Sequence, residues 1–527
     1  MKTSSTLVRS TWLLSFLLFA CSDGTATGGD GSRDGASSEM GIDGAVSIPD
    51  GQTSSFDGTA DSAPDAAPDA APDAAPDAPR DVTPFTGATW DLAMIRDQST
   101  VNCTITNRRT AVKNGVTLDL WDVAYTSWES IDAVLQPITI RGYAARPQGG
   151  GVLPGIVHAH GLGGYATENL ATGPASVTGM FVIAYTGPGG GPSGTSPPGA
   201  ASEGRAAGFA SGYRMFDTIA DPRGSWFWGH AVAAMRGLTC MQAHPEYVDG
   251  TRLGITGFSA GSVVSVISSS VDDRIRAAVP LSGMLAWDLA VQSTNAWQIP
   301  LLAAAGLNTS SPEWLRLNAD LIPHSLPSTA AGHILLVDGT TDEFFPLNTF
   351  RMTYDNLPDA NRYSALTANF DHGCYSLSGV ESATTIEARA TIRAEGNQRM
   401  WFKHWFGTDA TFSYLPQRPT HTSMAVGSGT AVVATVDENS AYIVDRVEVW
   451  WSNDRSLVYG NVPLTRMAAN TYGALAAFPT TADTVLYVDV QYRTRDLLLP
   501  KYFAFSSVPT LPAAFVPVVR SVTNCLP

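Results

Sequence analysis

Three residues spaced along this 527-residue chain can do nucleophilic chemistry together: Ser259, Asp342 and His372. Ser259 is the centre of Gly257-Phe258-Ser259-Ala260-Gly261, a match to G-x-S-x-G. A serine hydroxyl is a weak nucleophile at neutral pH and needs a positioned base to take its proton. The pattern helps because glycines on either side let the serine sit on a sharp strand-to-helix turn with its oxygen projecting. With 49 glycines in the chain the pattern also arises by chance, so a base and an acid have to follow it. His372, in NFDHGCY, lies in a small, turn-rich loop and is the expected base. His404 reads as helix packing, and His421 begins the C-terminal strands. The acid lies among Asp338, Asp342 and Glu343, and Asp342 in GTTDEFFP is preferred because its loop can carry a carboxylate to the end of a sheet. His372 would then take the Ser259 proton and return it to the departing group, while Asp342 holds the imidazole. Oxyanion donors are expected from the backbone N–H groups of Ala260 and of Leu162 in HGLGG. His160 should brace that loop, and His158 should be core.

Such residues need a frame. Buried apolar strands are expected at Gly155–Ala159, Met180–Tyr185, Arg252–Thr256, Arg276–Leu281 and His333–Asp338, after two strands between Val116 and Pro147. An amphipathic helix, N-capped by Ser225, should run to about Ala243, and another should begin at Ala260. Strands apolar on both faces and alternating with helices predict an α/β fold, a mostly parallel sheet covered on both sides. In such sheets the chemistry lies beyond the carboxyl ends of the strands, which is where His160, Ser259 and Asp342 fall. Residues 284–331 read as a cap insertion, with a closing helix at Trp401–Gly407. Trp287, Trp297 and Trp314 can line a substrate pocket or simply pack the cap; Trp226 and Trp287 are the pocket candidates. The catalytic domain is thus set at 83–410 and a small β-sandwich at 418–527. Trp450 and Trp451 can offer a sugar-stacking platform with at most one of them exposed, since adjacent strand residues face opposite ways.

Lys2 and Arg9 precede the apolar run Trp12–Ala20, too short to span a bilayer, and Cys21 follows directly. LFAC resembles the lipobox of bacterial lipoproteins, though Phe19 is bulky for its position; the resemblance implies lipidation of Cys21 and a cell-envelope location. Residues 22–82, including the APDA repeat over Ala63–Ala78, form an extended, solvated tether that carries most of the net charge of −16. No basic stripe remains to bind nucleic acid, and membrane contact is expected only through the anchor. Beyond Cys21, Cys103, Cys240, Cys374 and Cys525 allow two disulfides in three pairings. A Cys103–Cys525 bridge would tie the ends of the folded region, with Cys240 packed on an apolar helix face. Neither C-x-x-C nor H-E-x-x-H is present, and no metal or organic cofactor is expected.

The order HGLGG, GFSAG, GTTDEFFP, DHG is similar to that of α/β-hydrolases. HPEYVDGTRLGITGFSAG followed by DDRIRAAVPLSG resembles the acetylxylan esterase and dienelactone-hydrolase-like branch, close to the catalytic domain of prolyl oligopeptidases. The likeness runs from Val116 to Gly407 and implies Ser259 as nucleophile, Asp342 as acid and His372 as base. Ser262 departs from it, standing where a second glycine is usual. DRVEVWWSND is weakly similar to the β domain of PhoPQ-activated pathogenicity-related proteins. The resemblance thus implies a serine ester hydrolase acting on short-chain esters, including acetylated polysaccharide. The alternatives are a prolyl-oligopeptidase-like peptidase and a binding lipoprotein on a hydrolase scaffold. Peptidases of that type usually carry a propeller first, and only about 30 unassigned residues precede the sheet.

Overall fold

The computed structural model describes residues 88–191, 201–205, 212, 214–293, 295–372, 381–427, 429–474, 478–513 and 515–519, all within one compact unit. Cys21, the tether, much of the glycine loop after Tyr185, Cys374 and Cys525 lie outside the described residues.

Nine strands form the main sheet: β1 (Thr104–Lys113), β2 (Val116–Ile131), β3 (Val134–Pro147), β4 (Leu153–Ala159), β5 (Phe181–Tyr185), β6 (Val248–Phe258), β7 (Ile275–Leu281), β8 (His333–Gly339) and β9 (Arg362–Thr367). Their spatial order is β1-β2-β3-β5-β4-β6-β7-β8-β9. β1, β2 and β3 are antiparallel neighbours, and β5 meets β3 antiparallel. From β5 onward every pairing is parallel. Alternate residues serve opposite faces. Val157, Ile183, Ile255 and Ile334 pack with helices α2 (Trp226–Gln242), α3 (Ala260–Val271) and α4 (Leu347–Asn356). Ile156, Val182, Val279 and Leu335 pack with α1 (Glu168–Thr178) and α5 (Asn397–Phe406). The α/β class expected from the strand pattern is the one observed.

Four readings change. α2 is not amphipathic: every residue from Trp226 to Met241 is buried, because the segment before β1 covers its outer face. Arg236 on that face donates to the carbonyls of Thr126, Ile95 and Asp97 at 2.9, 3.2 and 2.7 Å. Cys103 bonds to Cys240, not to Cys525, since the same packing brings their Cα atoms to 5.2 Å. β1 and β9 go unseen in the pattern: TITNRRTAVK is a polar strand at the sheet edge, and RYSALT opens on polar residues.

The C-terminal strands form two antiparallel sheets. One holds β10 (Thr420–Val426), β11 (Gly429–Thr435), β14 (Thr465–Ala468), β15 (Thr471–Gly473) and β16 (Phe478–Pro479). The other runs β13 (Gly460–Pro463), β12 (Ile443–Ser452), β17 (Val485–Arg493), β18 (Tyr502–Ser506). β18 reaches the main sheet: Ser364 Oγ donates to Ser506 O at 2.7 Å, and Leu366 N–H donates to Ser506 Oγ at 2.8 Å. Trp450 is buried beneath the Arg389 guanidinium, and Trp451 stacks on Phe478 at 5.3 Å, so neither stands free as a sugar platform.

Candidate active site

The turn between β6 and α3 puts Ser259 at φ 59°, ψ −123°, a left-handed conformation costly for a side chain bearing a Cβ. Backbone crowding explains the glycines. A Cβ on Gly257 would lie 2.5 Å from Gly261 O, and one on Gly261 would lie 2.1 Å from Ala159 O. The structure adds a third such position, Gly283, where a Cβ would come within 2.2 Å of Ser259 O and 2.5 Å of Ser262 Cβ. Ser262 is buried and donates its hydroxyl to Gly283 O at 2.8 Å, so this departure from the usual glycine ties α3 to the loop after β7.

Ser259 Oγ donates to His372 Nε2 at 2.8 Å, and His372 Nδ1–H donates to Asp342 Oδ2 at 2.8 Å. The second Asp342 oxygen accepts the N–H groups of Phe344 and Phe345, each at 2.8 Å. These bonds aim the carboxylate at the ring. Burial disfavours the charged ring, yet the Asp342 charge and hydrogen bond, with Glu343 and Asp371, raise the His372 pKa above its ordinary value. Phe258 and Phe344 lie against the imidazole at centroid distances of 4.9 and 4.3 Å and fix its plane. Ser259 is half-buried, and so accessible from outside, while His372 is buried.

The two other carboxyls take different places. Asp338 is buried beside Asp342, and burial, then the Asp342 charge, push its pKa well above the carboxylate range. Glu343 reaches the His372 main-chain N–H at 3.2 Å, not the ring, and burial with the charges of Asp342 and Asp371 raises it to about 8. Among the described residues Asp342 is the carboxylate that accepts from His372 Nδ1.

The HGLGG loop borders the serine: a Cβ on Gly161 would sit 3.3 Å from Ser259 Cβ. Among the described residues the N–H groups of Leu162 and Ala260 meet no acceptor, so both remain free for a substrate oxygen. His160 Nε2 accepts the Gly187 N–H at 2.8 Å, which makes Nδ1 the donor to Gly161 O at 2.6 Å. It thereby links the loops after β4 and β5, and burial lowers its pKa to about 4. His158 is buried against Leu170 O, also at about 4.

Trp226 and Trp287 do not line an open pocket. Trp226 is 5% exposed against His160 and His230, and Trp287 is 1% exposed among Phe227, Trp297, Trp314 and Phe345. Trp287 backs Phe345, which in turn packs on His372. Long aromatics in a cap segment carry no signal that separates such backing from lining.

Residues beyond 410 also brace the site. Tyr459 N–H donates to Asn369 Oδ1 at 2.7 Å, and Asn369 Nδ2 returns a bond to Tyr459 O at 2.9 Å. Ser456 Oγ donates to Thr340 O at 3.1 Å. The loops bearing Asp342 and His372 are therefore both held from the C-terminal sheets.

A serine on a strained strand-to-helix turn, with acid and histidine following in chain order at the ends of later parallel strands, decides the architecture. The chain has the α/β-hydrolase fold. No family model and no curated protein matches its sequence. Among solved structures it is similar to an acetyl xylan esterase from Paenibacillus sp. R4, with TM-score 0.42 and 18% identity over 56% of this chain and 89% of that one. Acetyl xylan esterase 1 from Thermoanaerobacterium sp. JW/SL YS485 gives 0.40 and 18%, over 57% and 90%. An acylaminoacyl peptidase from Pyrococcus horikoshii gives 0.39 and 14%, over 57% of each. Similarity at this level assigns no substrate.

Proposed function

We propose that the protein is an exported serine ester hydrolase working through an acyl-enzyme. The observation that carries this is the continuous Ser259–His372–Asp342 hydrogen-bond chain on a positive-φ turn. His372 takes the Ser259 proton as the oxygen attacks the ester carbonyl, and the raised basicity imparted by Asp342 suits it to hold that proton. The N–H groups of Leu162 and Ala260 receive the oxyanion. His372 then protonates the departing alcohol, and a water activated by the same ring releases the acid.

Short acyl esters, acetylated polysaccharide among them, are the substrates implied by the sequence resemblance. Export with lipidation at Cys21 is supported by Lys2, Arg9, the apolar Trp12–Ala20 and LFAC. The test compares 4-nitrophenyl acetate with a proline anilide, for the parent and for Ser259→Ala. Ester turnover that vanishes in the variant is expected. Faster turnover of the anilide would make the protein a peptidase, and a parent inert toward both would make it a binding scaffold.

A further inference from the structure

The β17–β18 hairpin ends in three consecutive leucines, Leu497, Leu498 and Leu499, which are 84%, 90% and 67% exposed. Single exposed leucines are ordinary; three together on a projecting tip are not. The tip is an ordered turn. Thr494 N–H donates to Lys501 O and Lys501 N–H donates to Thr494 Oγ1, both at 2.9 Å, closing the neck. Asp496 Oδ1 accepts the N–H groups of Leu498 and Leu499 at 2.9 and 3.1 Å, and Pro500 has none to offer. The N–H groups of Leu498 and Leu499 are thus satisfied within the turn, and position 500 offers none.

Two further observations point to the occupant. Arg495 and Lys501 bracket the leucines and outnumber the one acid of the tip, Asp496; Arg495 donates to the carbonyls of Ser440 and Tyr442, which hold its charge at the neck without cancelling it. Apolar residues flanked by cations match the boundary between acyl chains and anionic headgroups. The shape also matters: a convex tip needs a surface that yields around it, as lipid does. The hairpin is stiffly joined to the hydrolase body, since Arg393 on the π-helical turn before α5 pairs with buried Asp489 on β17 and Ala504 N–H bonds Asn397 Oδ1. Among the described residues no helix is long and apolar enough to cross a membrane, so contact would be interfacial.

We propose that Leu497–Leu499 insert into the interface of an anionic lipid bilayer and set the orientation of the hydrolase body on it. The inference is independent of the ester-hydrolase reading. A tether from a lipidated Cys21 would raise the local concentration of the tip at the membrane, so weak insertion would suffice.

The test uses the full chain with Cys21→Ser, which removes any acyl anchor, and vesicles of phosphatidylethanolamine with phosphatidylglycerol. Because Trp12–Ala20 can itself partition, the readout is local. A nitrobenzoxadiazole label on Leu498→Cys is compared with the same label on Val112→Cys, at the far sheet edge, after subtracting labelling of the parent. The expected result is a blue shift and quenching by acyl-chain bromolipid at position 498 but not at 112. Replacing all three leucines by serine should leave the unfolding midpoint unchanged. It should also weaken vesicle binding of the Cys21→Ser chain at least about tenfold once partitioning of the signal segment is subtracted. A label at 498 that keeps its aqueous emission while the protein pellets with vesicles overturns the proposal. So does an equal shift at 498 and 112.

Discussion

Asp342 does two things to His372: it fixes the tautomer, and its charge leads the influences that raise the ring's pKa against burial. Asp342→Asn should therefore lower kcat by about 10⁴-fold. It should also move the acid limb of kcat/KM to lower pH, because the neutral amide no longer favours the imidazolium. A pH profile of the residual ester turnover checks both. Gly283→Ala places a methyl where Ser259 O already sits 2.2 Å away, so the turn must shift. A displacement of about 1 Å at the nucleophile should cost about 10²-fold in kcat, with KM little changed. Ser259, Asp342 and His372 were legible because their types, order and positions after apolar runs all coincide. Gly283 was not, since only the folded backbone shows what approaches it. Asp338 and Glu343 stayed open for the same reason, as three acids within six residues differ only in direction.

At the scale of elements, the strands with unbroken apolar runs were readable and the edge strands were not. β5 and β8 are buried on both faces and say so in sequence, whereas β1 gains its place from hydrogen bonds to β2. The Cys103–Cys240 pairing follows from how the polar segment before β1 lies over α2, which spacing alone does not reveal. The join between the hydrolase sheet and β17 hinges on Arg393 and Asp489, each 1% exposed. Arg393→Met leaves the Asp489 carboxylate buried without its partner, and should cost about 3–5 kcal/mol in urea unfolding. Replacing both residues by apolar ones of similar size should recover much of that loss.

Over the whole molecule, several histidines are buried uncharged. His158 and His160 titrate at about 4 in the fold, against 6.5 when unperturbed, chiefly through burial. Between those values the unfolded chain binds protons that the native state refuses, so stability falls as pH drops from 6.5 toward 4. His372 works in the opposite sense, its raised pKa lending stability that is fully present below 6.5 and lost as pH rises through the folded value. His230, His333 and His421 are depressed by burial in the same sense, while burial raises Asp338, Glu343 and Glu129, which bind protons in the native state first and work against them as pH falls. The histidine part is read by His421→Gln, in which Tm should fall less steeply between pH 6.5 and pH 4 in calorimetry than in the parent.

The bonds from Ser456 and Tyr459 to the loops carrying Asp342 and His372 also bear on when the protein becomes active. Synthesis proceeds from the amino end, so the turn bearing Ser259 emerges long before the strands that steady the His372 loop. A chain stopped near residue 410 would hold all three reacting side chains and still lack the grip that aligns them. The three side chains would then come into line only after nearly the whole polypeptide has been made, so their alignment reports that the C-terminal sheets are in place.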